Sequence, residues 1–221
     1  EESLAPLPDE SGFIDGLVGG WEGYGGETIA VPDEAKAAFE KATAGVTGTQ
    51  YRLIALLASQ IVSGTNYSFL VECIPEEGNI DAHTDAVLIV YADLEGNAEI
   101  TRRIDLNVAD KDFGVAEVAG PTGEAALVGA WTIAEGKSED KDLIDLVDKA
   151  TAELVGGDYE PVAEIGIQIV AGVNHAVLCK CTTVSDVAVT SYEVVYIYEA
   201  LDGTVELQDV RQVNYNGYGL D

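Results

Sequence analysis

A five-residue stretch occurs twice in this chain, each time between two runs that are typical of β-strands. Its two copies are Gln60, Ile61, Val62, Ser63 and Gly64, and then Gln168, Ile169, Val170, Ala171 and Gly172. The copies lie about 110 residues apart, which is far longer than the repeating unit of a solenoid protein. A repeat of this length predicts two domains of one fold in tandem.

A second marker repeats upstream of the five-residue stretch, and each copy lies shortly before a tryptophan. Its copies are Leu17, Val18 and Gly19 in the first half, and Leu127, Val128 and Gly129 in the second. Trp21 and Trp131 follow at the same distance, and we expect them to anchor this segment to a sheet. Two markers in the same order and register make chance repetition a poor explanation.

Each half also carries one segment whose apolar residues recur with the spacing of a helix face. The first helix is predicted over residues 33–44, because Pro32 and the acids after it favour a helix start. The second follows Asp140 and ends before Gly156 and Gly157, since glycine commonly terminates helices. The predicted buried stripes are Ala35, Ala38, Phe39 and Ala42, and then Leu143, Ile144, Leu146, Val147 and Ala150.

Four main strands, paired as two hairpins, are predicted in each half. They cover residues 51–59, 66–74, 86–92 and 99–106 in the first half, and 159–167, 174–182, 192–199 and 205–213 in the second. Glycine-containing turns separate the second pair of strands in both halves, as expected for hairpins. Each half is therefore predicted to place one helix on a curved antiparallel sheet.

The Gln-x-Val-x-Gly hairpin, the upstream Leu-Val-Gly segment and the helix between them resemble the cystatin family of cysteine-protease inhibitors. The resemblance covers residues 13–107 and 126–215, most of the chain. It implies an α+β fold class with two tandem cystatin-like domains, each one helix packed on a curved antiparallel β-sheet. The expected organisation is a flexible lead over 1–12, a first domain over 13–107, a linker over 108–125 and a second domain over 126–221.

The resemblance also implies a function, namely reversible competitive inhibition of papain-like cysteine proteases. In the family, an N-terminal trunk and two hairpin loops block the active-site cleft. The trunk corresponds to the two Leu-Val-Gly segments, and the first hairpin loop to both copies of the five-residue stretch. The expected contacts of the second hairpin are Leu94, Glu95 and Gly96 in the first half, and Leu201, Asp202 and Gly203 in the second. These second hairpins lack the family's Pro-Trp pair, which lowers the expected affinity.

The residue types in the five-residue stretch suit such a loop. Ile61 and Val62 offer apolar contact, and glycine at positions 64 and 172 permits a backbone conformation that side chains disfavour. We expect Gln60 and Gln168 to stabilise the turn by hydrogen bonds across its mouth. An ordinary hairpin explains one glycine, but it does not explain Gln, Val and Gly at the same spacing twice.

Composition excludes several other classes of partner. A net charge of −29 with only 11 Lys and Arg residues argues against nucleic-acid binding, which needs basic clusters. A transmembrane helix needs about 20 consecutive apolar residues, and the absence of such a run predicts no membrane insertion. No set of nucleophile, base and oxyanion-stabilising groups is recognisable, so an enzyme is not predicted and no cofactor is expected.

The three cysteines are predicted to be free and buried, because Cys73, Cys179 and Cys181 fall on the strand face that should point at the helix. The opposite face of the same strands carries polar residues such as Glu72 and Lys180. His175 shares a face with Cys179 and Cys181, but a strand separates the first and last of these by about 20 Å. We therefore expect no metal site there.

We expect a monomer that is secreted or tethered to a cell surface. The chain has no Met and its first residue is Glu1, which suggests a signal segment that this chain does not contain. The alternative function is a non-inhibitory binding or surface module that keeps the cystatin fold. Titration against papain distinguishes an inhibitor from such a module.

Overall fold

The computed structural model describes most of both halves of the chain. The described residues are 20–26, 30–77, 83–106, 108, 131–132, 136–137, 140–184, 189–214 and 219–220. The predicted lead, both Leu-Val-Gly segments and all of the predicted linker except Val108 lie outside these ranges. Neither helix within them is long and apolar enough to cross a membrane.

The first half contains a five-stranded antiparallel sheet whose strands lie in chain order. Its elements are β1 (Trp21–Gly23), α1 (Asp33–Thr43), β2 (Thr49–Val62), β3 (Gly64–Pro75), β4 (Thr84–Ala92) and β5 (Ala98–Asp105). The predicted helix and the four predicted main strands are confirmed in this half. The strands β2 and β3 extend further toward their shared turn than the sequence indicates.

The second half contains a seven-stranded antiparallel sheet in the order β12-β11-β10-β9-β8-β6, with β7 also paired to β8. Its elements are β6 (Trp131–Thr132), β7 (Gly136–Lys137), α2 (Lys141–Thr151), β8 (Gly157–Val170), β9 (Gly172–Thr183), β10 (Thr190–Ala200), β11 (Val205–Asn214) and β12 (Gly219–Leu220). The helix and four main strands again match the prediction. β7 and β12 are too short to show any periodicity in the sequence.

Register shifts occur at equivalent places in the two halves, which supports the duplication. They fall between Leu53 and Ala55, Leu56 and Ala58, Pro161 and Ala163, and Glu164 and Gly166. A bulge bends and twists its strand, so the long hairpin of each half is bent at the same positions.

Each helix packs its predicted stripe against one face of its own sheet. In the first half Ala35, Ala38 and Phe39 are buried against that face, and the rings of Phe39 and Phe69 meet edge to face with centroids 5.4 Å apart. In the second half the buried helical residues are Leu143, Leu146, Val147 and Ala150. Ala42 and Ile144, which were predicted in the stripes, are only half-buried because they lie at the margin of the contact.

All three cysteines are buried and free, as the sequence predicts. Cys73 and Cys179 lie in the cores beneath α1 and α2. Burial raises the pKa of the Cys73 thiol to about 11 and raises the pKa of Cys179 well above its ordinary value. Because the thiolate is the nucleophile, these residues are structural rather than reactive.

The two sheets pack face to face through the sides that the helices leave uncovered. The core between them draws on both halves: Ala55, Leu57, Leu70, Val87 and Leu106 come from the first, and Val162, Ala163, Ile165, Ala176, Leu178, Tyr192, Val194, Tyr196 and Val213 from the second. The layers therefore run α1, first sheet, second sheet, α2. Alternation along the strands places three polar residues on the face opposite the helix: Ser68, Glu72 and Lys180. All three are buried, because this face is the interface between the two sheets.

Charged groups at this interface are paired across neighbouring strands. Arg52, Glu72 and Asp85 lie opposite one another on β2, β3 and β4. Glu72 binds Arg52 and also lies 2.7 Å from Nδ1 of His83. Burial, and then the neighbouring Glu72 carboxylate, raise the pKa of Asp85 to about 7. The first sheet thus keeps a buried carboxyl group that titrates near neutrality.

Candidate binding site

The repeated five-residue stretch forms the turn of the central hairpin in each half. Val62 pairs with Gly64, and Val170 pairs with Gly172, so that a single residue lies at each tip. Gly64 has a φ of 135° and Gly172 a φ of 140°, conformations that residues with a Cβ atom rarely adopt. An added Cβ at Gly64 would also overlap the carbonyl oxygen of Ala92. These turns therefore require glycine for two separate reasons.

A glutamine–asparagine hydrogen bond crosses the mouth of each hairpin. Nδ2 of Asn66 donates to Oε1 of Gln60 over 2.7 Å, and Nδ2 of Asn174 donates to Oε1 of Gln168 over 2.6 Å. The sequence predicts that the glutamines stabilise the turn, but it does not identify their partners. The signal was present, because an asparagine follows each glycine at the same spacing in both halves.

A tyrosine hydroxyl holds the tip carbonyl of each hairpin. Tyr91 donates to the carbonyl oxygen of Ser63 over 2.7 Å, and Tyr198 donates to that of Ala171 over 2.6 Å. Each tyrosine comes from the strand that follows the hairpin, β4 or β10. The tip is therefore fixed on both sides, by the amide pair below it and by the tyrosine beside it.

The second hairpin of each half lies beside the first. Thr65 at the start of β3 pairs with Ala92 at the end of β4, so the turn after Ala92 adjoins the tip at Ser63. The carboxylate of Asp93 accepts hydrogen bonds from the backbone N–H groups of Glu95 and Asn97, at 2.9 and 2.7 Å. Hydrogen bonds from Asn97 lower the pKa of Asp93. This turn too is fixed by its own side chains.

The edge strand of each half begins at the same end of the sheet. Trp21 pairs with Gln60, and Trp131 pairs with Gln168. The strand β1 thus starts level with the hairpin mouth, and β6 does so in the second half. We call this end of each sheet, with its two hairpin turns and the start of its edge strand, the tip end. The trunk residues 17–19 and 127–129 precede these strands in sequence and lie outside the described residues.

Each tip end exposes one large aliphatic side chain on each of its two turns. The exposed fractions are 67% for Ile61 and 87% for Leu94 in the first half, and 64% for Ile169 and 89% for Leu201 in the second. Most aliphatic side chains of this size are buried in folded proteins. Exposed large aliphatic side chains therefore occur at equivalent positions of the two tip ends.

The other predicted contact residues divide into exposed and supporting positions. Val62 and Val170 are half-buried. The exposed positions are Ser63, Ala171, Glu95, Gly96, Asp202 and Gly203. Gly64, Gly172 and Gln168 are buried, so they support the turn in the free protein and do not present a surface.

A cluster of ionisable side chains distinguishes the second tip end from the first. His175 on β9 lies between Glu164 on β8 and Glu199 on β10, with Nδ1 2.6 Å from one carboxylate and Nε2 3.6 Å from the other. Strand pairing places Tyr67 of the first half in the position of His175. The two ends therefore share their turns but differ in the charge beneath them, a difference that the sequence analysis did not single out.

The two tip ends point in different directions. Gly23, close to the tip end of the first sheet, lies against Thr190 at the far end of β10. At a second contact Val108, which follows the far end of β5, lies against Gly166 in the tip half of β8. In both places the tip half of one sheet meets the opposite end of the other, so the two sets of turns are not side by side.

No protein-family model matches the chain, and no match was found among curated proteins. A functional proposal therefore has to start from the sequence resemblance and from the residues and geometry of the two tip ends.

Proposed function

We propose that this protein is a reversible, competitive inhibitor of papain-like cysteine proteases, with one inhibitory surface at each tip end. The observation that carries the proposal is the pair of exposed aliphatic residues on neighbouring rigid turns. Ile61 and Leu94 form this pair in the first half, and Ile169 and Leu201 form it in the second. The pairing occurs twice on the elements that the resemblance to cystatins assigns to protease binding.

The geometry of the turns suits a blocking function better than a substrate-like one. A protease cleaves a peptide that it holds extended, whereas each tip is a tight turn at a glycine with positive φ. The carbonyl oxygens of Ser63 and Ala171 already accept hydrogen bonds from Tyr91 and Tyr198. A turn ordered before binding loses less conformational entropy when it binds, which favours affinity.

The aliphatic residues set the expected scale of affinity. Full burial of one such side chain stabilises a complex by roughly 1.5–3 kcal/mol, which corresponds to about 10- to 100-fold in the dissociation constant. In the proposal the trunk residues Leu17 and Val18, and Leu127 and Val128, add apolar contacts in neighbouring subsites. The glycines after them, Gly19 and Gly129, let the chain turn away from the catalytic thiol.

Charged variants of the tips provide the test. Ile61→Asp and Ile169→Asp each place a carboxylate at an exposed position, so the fold should be unaffected. Each is expected to raise the inhibition constant of its own tip end for papain by at least about tenfold, because a charge would be desolvated in an apolar cleft. Inhibition constants are measured by steady-state kinetics at several substrate concentrations, with competition as the expected pattern.

A matched control for the second tip end lies at the opposite end of the second half. Val155 follows α2 and is 97% exposed, and Val155→Asp should leave inhibition unchanged. If the unmodified protein does not inhibit papain at micromolar concentration, the proposal is wrong and the non-inhibitory binding module becomes the better account. If all three variants weaken inhibition equally, the tips are not the binding surface.

A further inference from the structure

The strand β1 has a partner outside its own sheet. It has only three residues and lies at the edge of the first sheet, where its continuation is secured by the N–H of Tyr24 donating to Leu57 O over 2.8 Å. The second half supplies further contacts. The hydroxyl of Tyr192 lies 2.8 Å from Tyr24 O, and Nζ of Lys180 lies 2.9 Å from Gly26 O. Donors from the second half thus hold residues 24–26, the segment that continues β1 away from the first tip end.

Both donors are buried, which makes these contacts specific. Tyr192 lies on β10 in the core between the sheets, and its hydroxyl also approaches Leu56 O on β2, at 3.3 Å. Lys180 is paired with Glu160 over 3.1 Å, so its charge is compensated when it reaches across to Gly26. A buried donor that loses its acceptor is costly, and this favours keeping residues 24–26 in place.

Close packing reinforces the hydrogen bonds. A Cβ atom at Gly23 would overlap the backbone carbonyl oxygen of Thr190, so the second half approaches β1 as closely as glycine allows. Gly25, two residues further on, would meet only the Thr190 hydroxyl, at an ordinary 3.4 Å. Neighbouring glycines therefore differ in whether they tolerate a side chain.

The first half does not offer the same pair of donors to the second. Lys180 pairs with Tyr192 across β9 and β10, and the equivalent cross-strand pair in the first half is Glu72 with Asp85. Glu72 is bound by Arg52 of its own half. The first half therefore has two carboxyl side chains where the second half has a lysine and a tyrosine. The pair of donors that reaches residues 24–26 has no equivalent pair at these positions of the first half.

We propose that Tyr192 and Lys180 of the second half are positioning residues for the tip end of the first half. They fix residues 24–26 and thereby hold β1 against β2, where Trp21 pairs with Gln60 at the hairpin mouth. The first tip end depends on the second half, whereas the second tip end does not depend on this contact. This inference rests on the proposed inhibitory function for its kinetic test, but its structural test is independent.

The kinetic test uses the full chain with one tip end disabled at a time. In the Ile169→Asp background, Tyr192→Phe is expected to raise the inhibition constant of the first tip end for papain about two- to tenfold, the range for a lost hydrogen bond. Gly23→Ala should raise the same inhibition constant further, by at least about tenfold, because the backbone of β1 or of Thr190 must move to make room for the methyl group. Gly25→Ala is the matched control and should change nothing. In the Ile61→Asp background none of the three should alter the second tip end by more than about twofold.

Hydrogen exchange provides the readout that does not depend on inhibition. The amide of Tyr24 is expected to exchange at least about tenfold faster in Tyr192→Phe and Gly23→Ala, because local opening is easier. Amides of the hairpin around Asn174 should be unchanged. Equal weakening of both tip ends, or unchanged exchange at Tyr24 in both variants, would overturn the inference. If the unmodified chain does not inhibit papain, the proposed function is wrong. The hydrogen exchange of the Tyr24 amide then tests by itself whether Tyr192 and Lys180 hold residues 24–26 in place.

Discussion

Asp85→Asn is expected to raise the free energy of unfolding by about 2–4 kcal/mol at pH 8 and to leave it nearly unchanged at pH 4. Asp85 is buried between the sheets beside Glu72, and its pKa is raised to about 7 by burial first and by Glu72 second. Asparagine has nearly the same shape and no charge. The variant therefore removes the cost of ionising this group inside the protein.

The sign of the pH dependence follows from which state loses its proton first. An aspartate in an unfolded chain has a pKa of about 3.9. Each pKa unit by which the folded state differs from the unfolded state corresponds to about 1.4 kcal/mol of stability. Between about pH 4 and pH 7 the unfolded state has lost the Asp85 proton while the folded state retains it, so the stability of the unmodified protein falls as pH rises through this window. Above pH 7 the whole penalty is present, and the pKa of about 7 already includes the lowering effects of Arg52 and His83.

Urea unfolding of the two proteins from pH 4 to pH 8 measures this difference. Asp145→Asn serves as the control, since Asp145 is exposed on α2 and its replacement should shift stability by less than about 0.5 kcal/mol at any pH. If the free energies of unfolding of Asp85→Asn and the unmodified protein differ by the same amount at every pH in this range, Asp85 is not a group whose pKa lies near 7.

Gly64→Ala and Gly172→Ala are each expected to destabilise the protein by about 2–4 kcal/mol, because both conformational strain and overlap oppose the new methyl group. At Gly172 the added atom would overlap the carbonyl oxygen of Glu199, as it would overlap Ala92 O at Gly64. Relief of the overlap must separate the tip from the neighbouring strand. We therefore also expect at least about tenfold weaker binding at the altered tip end.

Gly96→Ala separates strain from overlap. Gly96 has a φ of 81°, but an added Cβ would meet no atom within 4 Å. Its replacement should cost only about 1–2 kcal/mol, with no movement of the first hairpin. Thermal unfolding gives the stability differences, and papain inhibition gives the binding. Equal losses of stability at positions 64 and 96 would mean that packing against Ala92 does not constrain the tip.

The helices and the main strands were accessible from sequence because each has a strong local signal. The stripe on α1 follows helical spacing, and Asp140 begins α2 by accepting a hydrogen bond from the N–H of Asp142, at 2.9 Å. The two copies also check each other, since every main strand of one half has its counterpart in the other. Local periodicity, repeated, is enough for an α+β arrangement of two sheets and two helices.

The packing of the two sheets on each other was not predicted from the sequence. The alternation of apolar and polar residues along each strand was interpreted as one buried face and one exposed face. In β3 the buried polar residues Ser68 and Glu72 made the second face look exposed. The better signal was in β4, where residues 86–90 are all apolar and all buried. Such an uninterrupted run is typical of a strand covered on both faces. The hydrogen bonds from Tyr192 and Lys180 to the first half depend on this long-range packing, so local patterns could not predict them.

The tips themselves were predicted in part. Gln60 and Gln168 were expected to stabilise the turns, but their partners and the tyrosines Tyr91 and Tyr198 were not identified. Those residues are ordinary members of strands, and only register shows that they reach the tip. The role of the trunk residues 17–19 and 127–129 remains a prediction from the resemblance.

The central claim is that one chain presents two separate protease-binding surfaces, and active-site titration of papain measures it most directly. Because the tip ends point in different directions, two proteases should bind without obstructing each other, and we expect two papain molecules to be bound and blocked per unmodified chain. At papain concentrations above the inhibition constant of an intact tip end and below that of an altered one, Ile61→Asp and Ile169→Asp should each reduce this to one, and the double variant should reduce it to none. An unmodified chain that binds only one papain or none, or a double variant that still binds two, would contradict the account.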